Sequence, residues 1–141
     1  MKNLPRFVFL VFVIGIPWPR HAWSSTPCDG VDRSLTDERK AALSRRIGEL
    51  QARKLDVLQS FQFGGWTILY VEPHTSDEEF LFYSDDPMTG RYITEWGGVA
   101  ARFEEREIRR WTLKNVPGIP PKLAGCFAWH VTNDQNGWPP T

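Results

Sequence analysis

Val57-Leu-Gln-Ser-Phe-Gln-Phe63, then Gly64-Gly65, then Trp66-Thr-Ile-Leu-Tyr-Val71 is the stretch that decides the fold. Val57, Phe61 and Phe63 alternate with Gln and Ser, the period of two that a pleated strand imposes on its side chains. Two such runs flanking Gly-Gly predict a β-hairpin, because glycine accepts the positive φ that tight hairpin turns require. Towards the C-terminus, Glu72-Pro-His-Thr-Ser-Asp77 reads as a loop and Glu79-Phe-Leu-Phe-Tyr83 as a third strand. Asp85-Asp86-Pro87-Met-Thr-Gly90 carries turn chemistry. Tyr92-Ile-Thr-Glu-Trp96 is a short fourth strand, ended by Gly97-Gly98. Four strands in succession with short connections imply an antiparallel meander.

A helix is expected before the meander, from about Thr36 to Arg53. Thr36 is its N-cap, Asp37 and Glu38 lie in the first turn, and Leu43, Ile47 and Leu50 make one apolar stripe. A second helix is expected from about Ala100 to Lys114. Phe103, Ile108 and Trp111 form an imperfect apolar side, while Arg102, Glu105 and Arg109 are spaced to pair at i+3 and i+4. Asn115-Val-Pro-Gly118 ends that helix, and Pro120 and Pro121 start a short helical turn. Cys126-Phe-Ala-Trp-His-Val131 alternates as a fifth strand, and residues 134–141 read as a loose tail. The expected fold is α+β: a single antiparallel sheet of about five strands with two helices packed on one face, in the order α-β-β-β-β-α-β.

The strands carry apolar residues on both sides. Trp66, Ile68 and Tyr70 oppose Thr67, Leu69 and Val71, and Phe80 and Phe82 oppose Leu81 and Tyr83. A sheet with one wet face should show one polar side. Either more of the chain covers the second face, or that face receives a ligand or another chain. In the latter case the partner surface comprises Trp66, Tyr70, Phe82 and Trp96.

The first residues have the layout of an export signal. Lys2 and Arg6 precede an uninterrupted apolar run from Phe7 to Ile16, and Ala22-Trp-Ser24 places small residues at the −3 and −1 positions. The run is about half the length of a membrane-spanning helix, and Pro17 and Pro19 block its extension. Residues 1–24 are therefore read as a cleaved signal peptide and residues 25–141 as one small domain destined for the periplasm or the cell exterior. Cys28 is not preceded by the aliphatic and small residues of a lipid-attachment site. With Cys126 it makes up the chain's two cysteines, and in an oxidising compartment the pair is expected as a disulfide.

Without residues 1–24, 14 basic residues face 17 acidic ones, a net charge of about −3. That balance argues against nucleic acid and against a polybasic membrane role for the mature domain. The chain has no glycine-rich phosphate loop, no HExxH, no GxSxG and no CxxC. Asp85 and Asp86 belong to a turn rather than to a carboxylate dyad. His74 lies near Asp77, Glu78 and Glu79, but not at a recognised metal-ligand spacing, so no metal and no cofactor is expected. The reading is an exported, non-catalytic binding protein, in the manner of an inhibitor or immunity-like partner of another exported protein. A small hydrolase using His130 or His74, and a structural or self-associating envelope module, are the alternatives.

Overall fold

Gly64 and Gly65 sit at φ 58° and 82°, the two left-handed positions of a type I′ turn, and close Phe63 against Trp66. From that turn grows a four-stranded antiparallel sheet in sequential order: β1 (Asp56–Phe63), β2 (Trp66–Glu72), β3 (Glu79–Tyr83) and β4 (Thr94–Gly97). This is a computed structural model that describes residues 25–134. The expected signal peptide, and the tail beyond Asp134, lie outside the described residues. Before the sheet runs α1 (Asp37–Gln51). After it come a 3-10 turn (Arg102–Glu104), α2 (Glu105–Asn115) and α3 (Pro121–Asn133).

The fold is α+β around one antiparallel sheet, with two corrections to the expectation. Among the described residues there are four strands, not five, because Cys126–Val131 lies inside α3. Alternation over six residues also satisfies a helix when the longer window is periodic. Leu123, Ala124, Phe127, Ala128 and Val131 fall at i, i+1, i+4, i+5 and i+8, and all are buried. Pro121 at the first helical position supplies the pre-set φ that starts α3.

The helices also do not share one face. α1 lays Leu43 and Ile47 on Val57, Leu69, Val71, Leu81 and Tyr83. α2 and α3 cover the opposite face, burying Phe61, Ile68, Tyr70, Phe80 and Phe82 under Ile108, Leu123, Phe127 and Val131. Strands apolar on both sides are what a sheet between two helical layers requires.

Local chemistry fixes the ends of α1. Thr36 accepts a hydrogen bond from the Arg39 amide at 3.2 Å. At the other end Ala52 turns left-handed (φ 52°, ψ 36°), and the Arg53 amide returns to the Gly48 carbonyl at 3.1 Å. Ser44 joins α1 to the sheet by accepting from the Val57 amide at 2.9 Å, beside the β1 bulge. Cys28 and Cys126 are disulfide-bonded with Cα atoms 4.4 Å apart, pinning the lead-in segment to α3. Asp32 adds a two-bond bridge to Gln62 on the free side of β1.

Candidate functional site

β4 ends at Gly97-Gly98, and the chain then crosses from the sheet edge to α2. Buried Ala100 anchors the crossing. Its neighbours cannot follow it inward, so Val99 stays 93% exposed and Phe103, on the 3-10 turn, 88% exposed. The turn is held by Glu104, whose carboxylate accepts from the Ala101 amide at 2.6 Å. Burying Phe103 relative to leaving it in water is worth roughly 1.5–3 kcal/mol, a gain this fold forgoes.

α2 continues the same surface. Ile108 and Thr112 face inward, with the Thr112 hydroxyl donating to the Ile108 carbonyl, and Trp111 packs 6.2 Å from Phe82. Outward stand Arg102, Arg106, Arg109, Arg110 and Lys114, with Leu113 partly exposed among them. Among the described residues none of these five cations forms an ion pair. The pairing expected of Arg102, Glu105 and Arg109 is not made. Glu105 instead accepts from the Asn133 amide group at 2.9 Å, and Glu104 is spent on its cap. Glu107 alone of the local acids faces solvent free of these contacts. The described residues, in which acidic side chains outnumber basic ones, thus gather five cations without ion pairs, together with Glu107, on the surface around a protruding aromatic ring. A shallow hollow of about 200 Å³ between Trp96, Val99, Ile108 and Trp111 adjoins it.

The residues singled out in the sequence scatter. Tyr70 (2% exposed) and Phe82 (0%) lie beneath α2 and α3 and cannot belong to a partner surface; this corrects the expectation for those two. Trp66 and Trp96 are half-buried, Trp96 resting on Phe80 and Phe127 with ring centroids 6.1 and 5.5 Å away. The aromatic side of the sheet is a core, and among the described residues the exposed aromatic is Phe103. Sequence reading placed Phe103 on the apolar side of the second helix, because a 3-10 turn at its start rotates that residue outward in a way periodicity does not reveal.

His130 is buried against the Phe61 ring (4.8 Å), with Nδ1 3.1 Å from Asp134, which also meets Arg33 at 3.4 Å. Burial holds its pKa below the ordinary histidine value, Arg33 acts in the same direction, and Asp134 opposes both. His74 is exposed at φ 56° and bonds Asp56 at 2.8 Å. Its fold-assembled neighbours are Asp56 and Glu72, with donor atoms within 4.8 Å of one another, rather than Asp77, Glu78 and Glu79. Asp56, Glu72 and His74 could hold a cation between them, although Arg45, Arg53 and Lys54 line the hollow beside Asp56 and His74. The serine of that hollow, Ser44, is occupied: it donates to the Lys40 carbonyl and accepts from Val57.

Asp86 is a turn residue, accepting from the Met88 amide and pairing with Arg39 at 2.9 Å. No helix among the described residues is long and apolar enough to cross a membrane. Compared with protein-family models, with curated proteins and with solved structures, the chain matches none.

Proposed function

We propose that this is an exported, non-catalytic binding protein that docks on an acidic surface of another exported protein, acting as an inhibitor or immunity-type partner. The observation that carries the reading is Phe103, 88% exposed, which shares a hollow with four arginines that form no ion pair among the described residues and with Glu105 and Glu107. Aromatic and arginine side chains are the residues enriched at the energetic centres of protein interfaces. Four of the five cations are arginine, whose planar fork meets a carboxylate bidentately; a diffuse anionic surface would be served as well by lysine. The N-terminal leader pattern and the disulfide support an extracytoplasmic setting.

The test uses purified, oxidised mature protein as bait in an envelope extract, with the retained protein identified and then purified for titration. We expect one acidic partner whose binding weakens at high salt. Phe103→Ser and the pair Arg106→Glu/Arg110→Glu should each abolish retention while leaving the circular dichroism spectrum unchanged. Equal retention by all three forms would refute the proposal. So would binding to phosphatidylglycerol vesicles in place of a protein, or concentration-dependent self-association through this face.

A further inference from the structure

A helix is about 10 Å across and strands lie about 4.8 Å apart, so one helix shields roughly two strands of a face. α1 alone covers its side of the four-stranded sheet, and β4 is left open there. The chain between β3 and β4 arches up to close the far side, strapped to α1 by Arg39–Asp86 and by Arg46 Nε donating to the Met88 carbonyl at 3.0 Å. Between helix, sheet and arch lies a cleft of about 810 Å³. It falls on the face opposite α2 and α3, away from the Phe103 surface.

The register explains its lining. Glu79, Leu81 and Tyr83 project to the α1 side of β3, and Glu95, paired with Leu81, does so from β4. Leu50, the one member of the α1 stripe that stays exposed, borders the cleft together with Ile47. Arg53 and Glu79 form a partly buried ion pair at its wall, and Arg53 Nε donates to Gln51 Oε1 at 2.6 Å. Tyr83 and Tyr92 meet edge to face at 6.3 Å.

One polar group here is buried with no hydrogen-bond partner among the described residues. It is Gln51 Nε2, beside the Arg53 guanidinium. A buried polar group without a partner costs about 1–3 kcal/mol, so a ligand atom that accepts from Gln51 Nε2 recovers that cost. Tyr83, 2% exposed, lines the cleft. Burial, with Tyr92 and Glu79 adding to it against Arg53, raises the Tyr83 pKa, so the phenol keeps its proton and can donate.

We propose that this cleft is a binding site for an uncharged, polyhydroxylated ligand of saccharide chemistry. The lining charges cancel: Arg53 and Arg91 face Glu79 and Glu95, so neither an anion nor a cation gains net attraction. What remains is a set of planar hydrogen-bonding groups (guanidinium, carboxylate, amide and phenol) beside two tyrosine rings and two aliphatic side chains. A pyranose presents that complement, adjacent hydroxyls around its rim and C–H groups on its faces. The volume lies within the range of sites that enclose small ligands.

The test titrates isotopically labelled, oxidised protein separately with maltotetraose, cellotetraose and tri-N-acetylchitotriose, with glutamine and inorganic phosphate as charged comparators. We expect at least one saccharide to shift the amides of Gln51, Arg53, Tyr83 and Tyr92 saturably. Tyr83→Phe, which keeps the ring and its packing, should weaken binding about tenfold. Gln51→Ala should weaken it in the same direction. Failure of all three saccharides to shift these amides would overturn the proposal. So would binding unaffected by Tyr83→Phe, or saturation of the same amides by glutamine or phosphate. None of these outcomes bears on the Phe103 surface, whose amides lie on the other side of the sheet.

Discussion

Removing the disulfide is the perturbation whose size the structure sets best. Cys28 and Cys126 are 98 residues apart in sequence, so the bond closes almost the whole described chain into one loop. In the chain-entropy treatment a loop of that length restricts the unfolded state by about 4.7 kcal/mol at 25 °C. Unfolding entropy of about 2.1 cal/mol/K per residue over the described length converts this into a fall in Tm of about 20 °C. Cys28 and, within α3, Cys126 are both buried in the core, so serine in their place would add a desolvation cost of its own. Cys28→Ala/Cys126→Ala is therefore the cleaner variant. Thermal melts by far-ultraviolet circular dichroism would compare it with oxidised wild type and with wild type in reductant. A drop shared by the variant and the reduced protein, and near the stated size, is the expected result. A drop below about 5 °C in both would refute the reasoning, since the lead-in segment would then be held by something other than the staple.

Two further predictions follow from single residues. Ala52 carries a Cβ at a left-handed position, a strain of about 1–2 kcal/mol that glycine avoids at some cost in unfolded-chain entropy. Ala52→Gly should raise stability by about 0.5–1 kcal/mol in urea titration; a loss would show that the Ala52 methyl packs in a way that outweighs the strain. His130 has a folded-state pKa held below its ordinary value of 6.5 by burial. The unfolded chain therefore binds its proton more readily, so the contribution is intact above about 6.5 and is lost as pH falls through the folded value. Between about pH 7 and about pH 5 the Tm of wild type should fall more steeply than that of His130→Gln; parallel declines would remove His130 as the cause.

Much of the architecture is legible in the sequence. The Gly64-Gly65 punctuation, the period-two runs on either side, and Thr36 ahead of two acids each have one local solution, and the chain adopts it. Pairing two cysteines needs no geometry. What escaped was anything decided by three-dimensional cover. Six residues of α3 alternate well enough to pass for a strand, and only the longer Leu123–Val131 stripe distinguishes the two periods. Apolar residues on both strand faces were visible, but whether a helix or a partner covered the second face was not; α1 turned out to lie there. The exposed ring at Phe103 depends on a 3-10 turn, and the partner of His74 is Asp56, 18 residues upstream. The α1 cleft exists because one helix is narrower than four strands, a fact of dimensions rather than of any motif.

The docking surface is tested most directly by photo-crosslinking in the native envelope, with a benzophenone amino acid at position 103 and, as comparison, at exposed Gln62 on the sheet's opposite edge. The account predicts a discrete adduct from position 103, containing a single acidic exported protein, that disappears when Arg106 and Arg110 are reversed to glutamate. Adducts of equal yield and pattern from both positions, or none from 103, would contradict it.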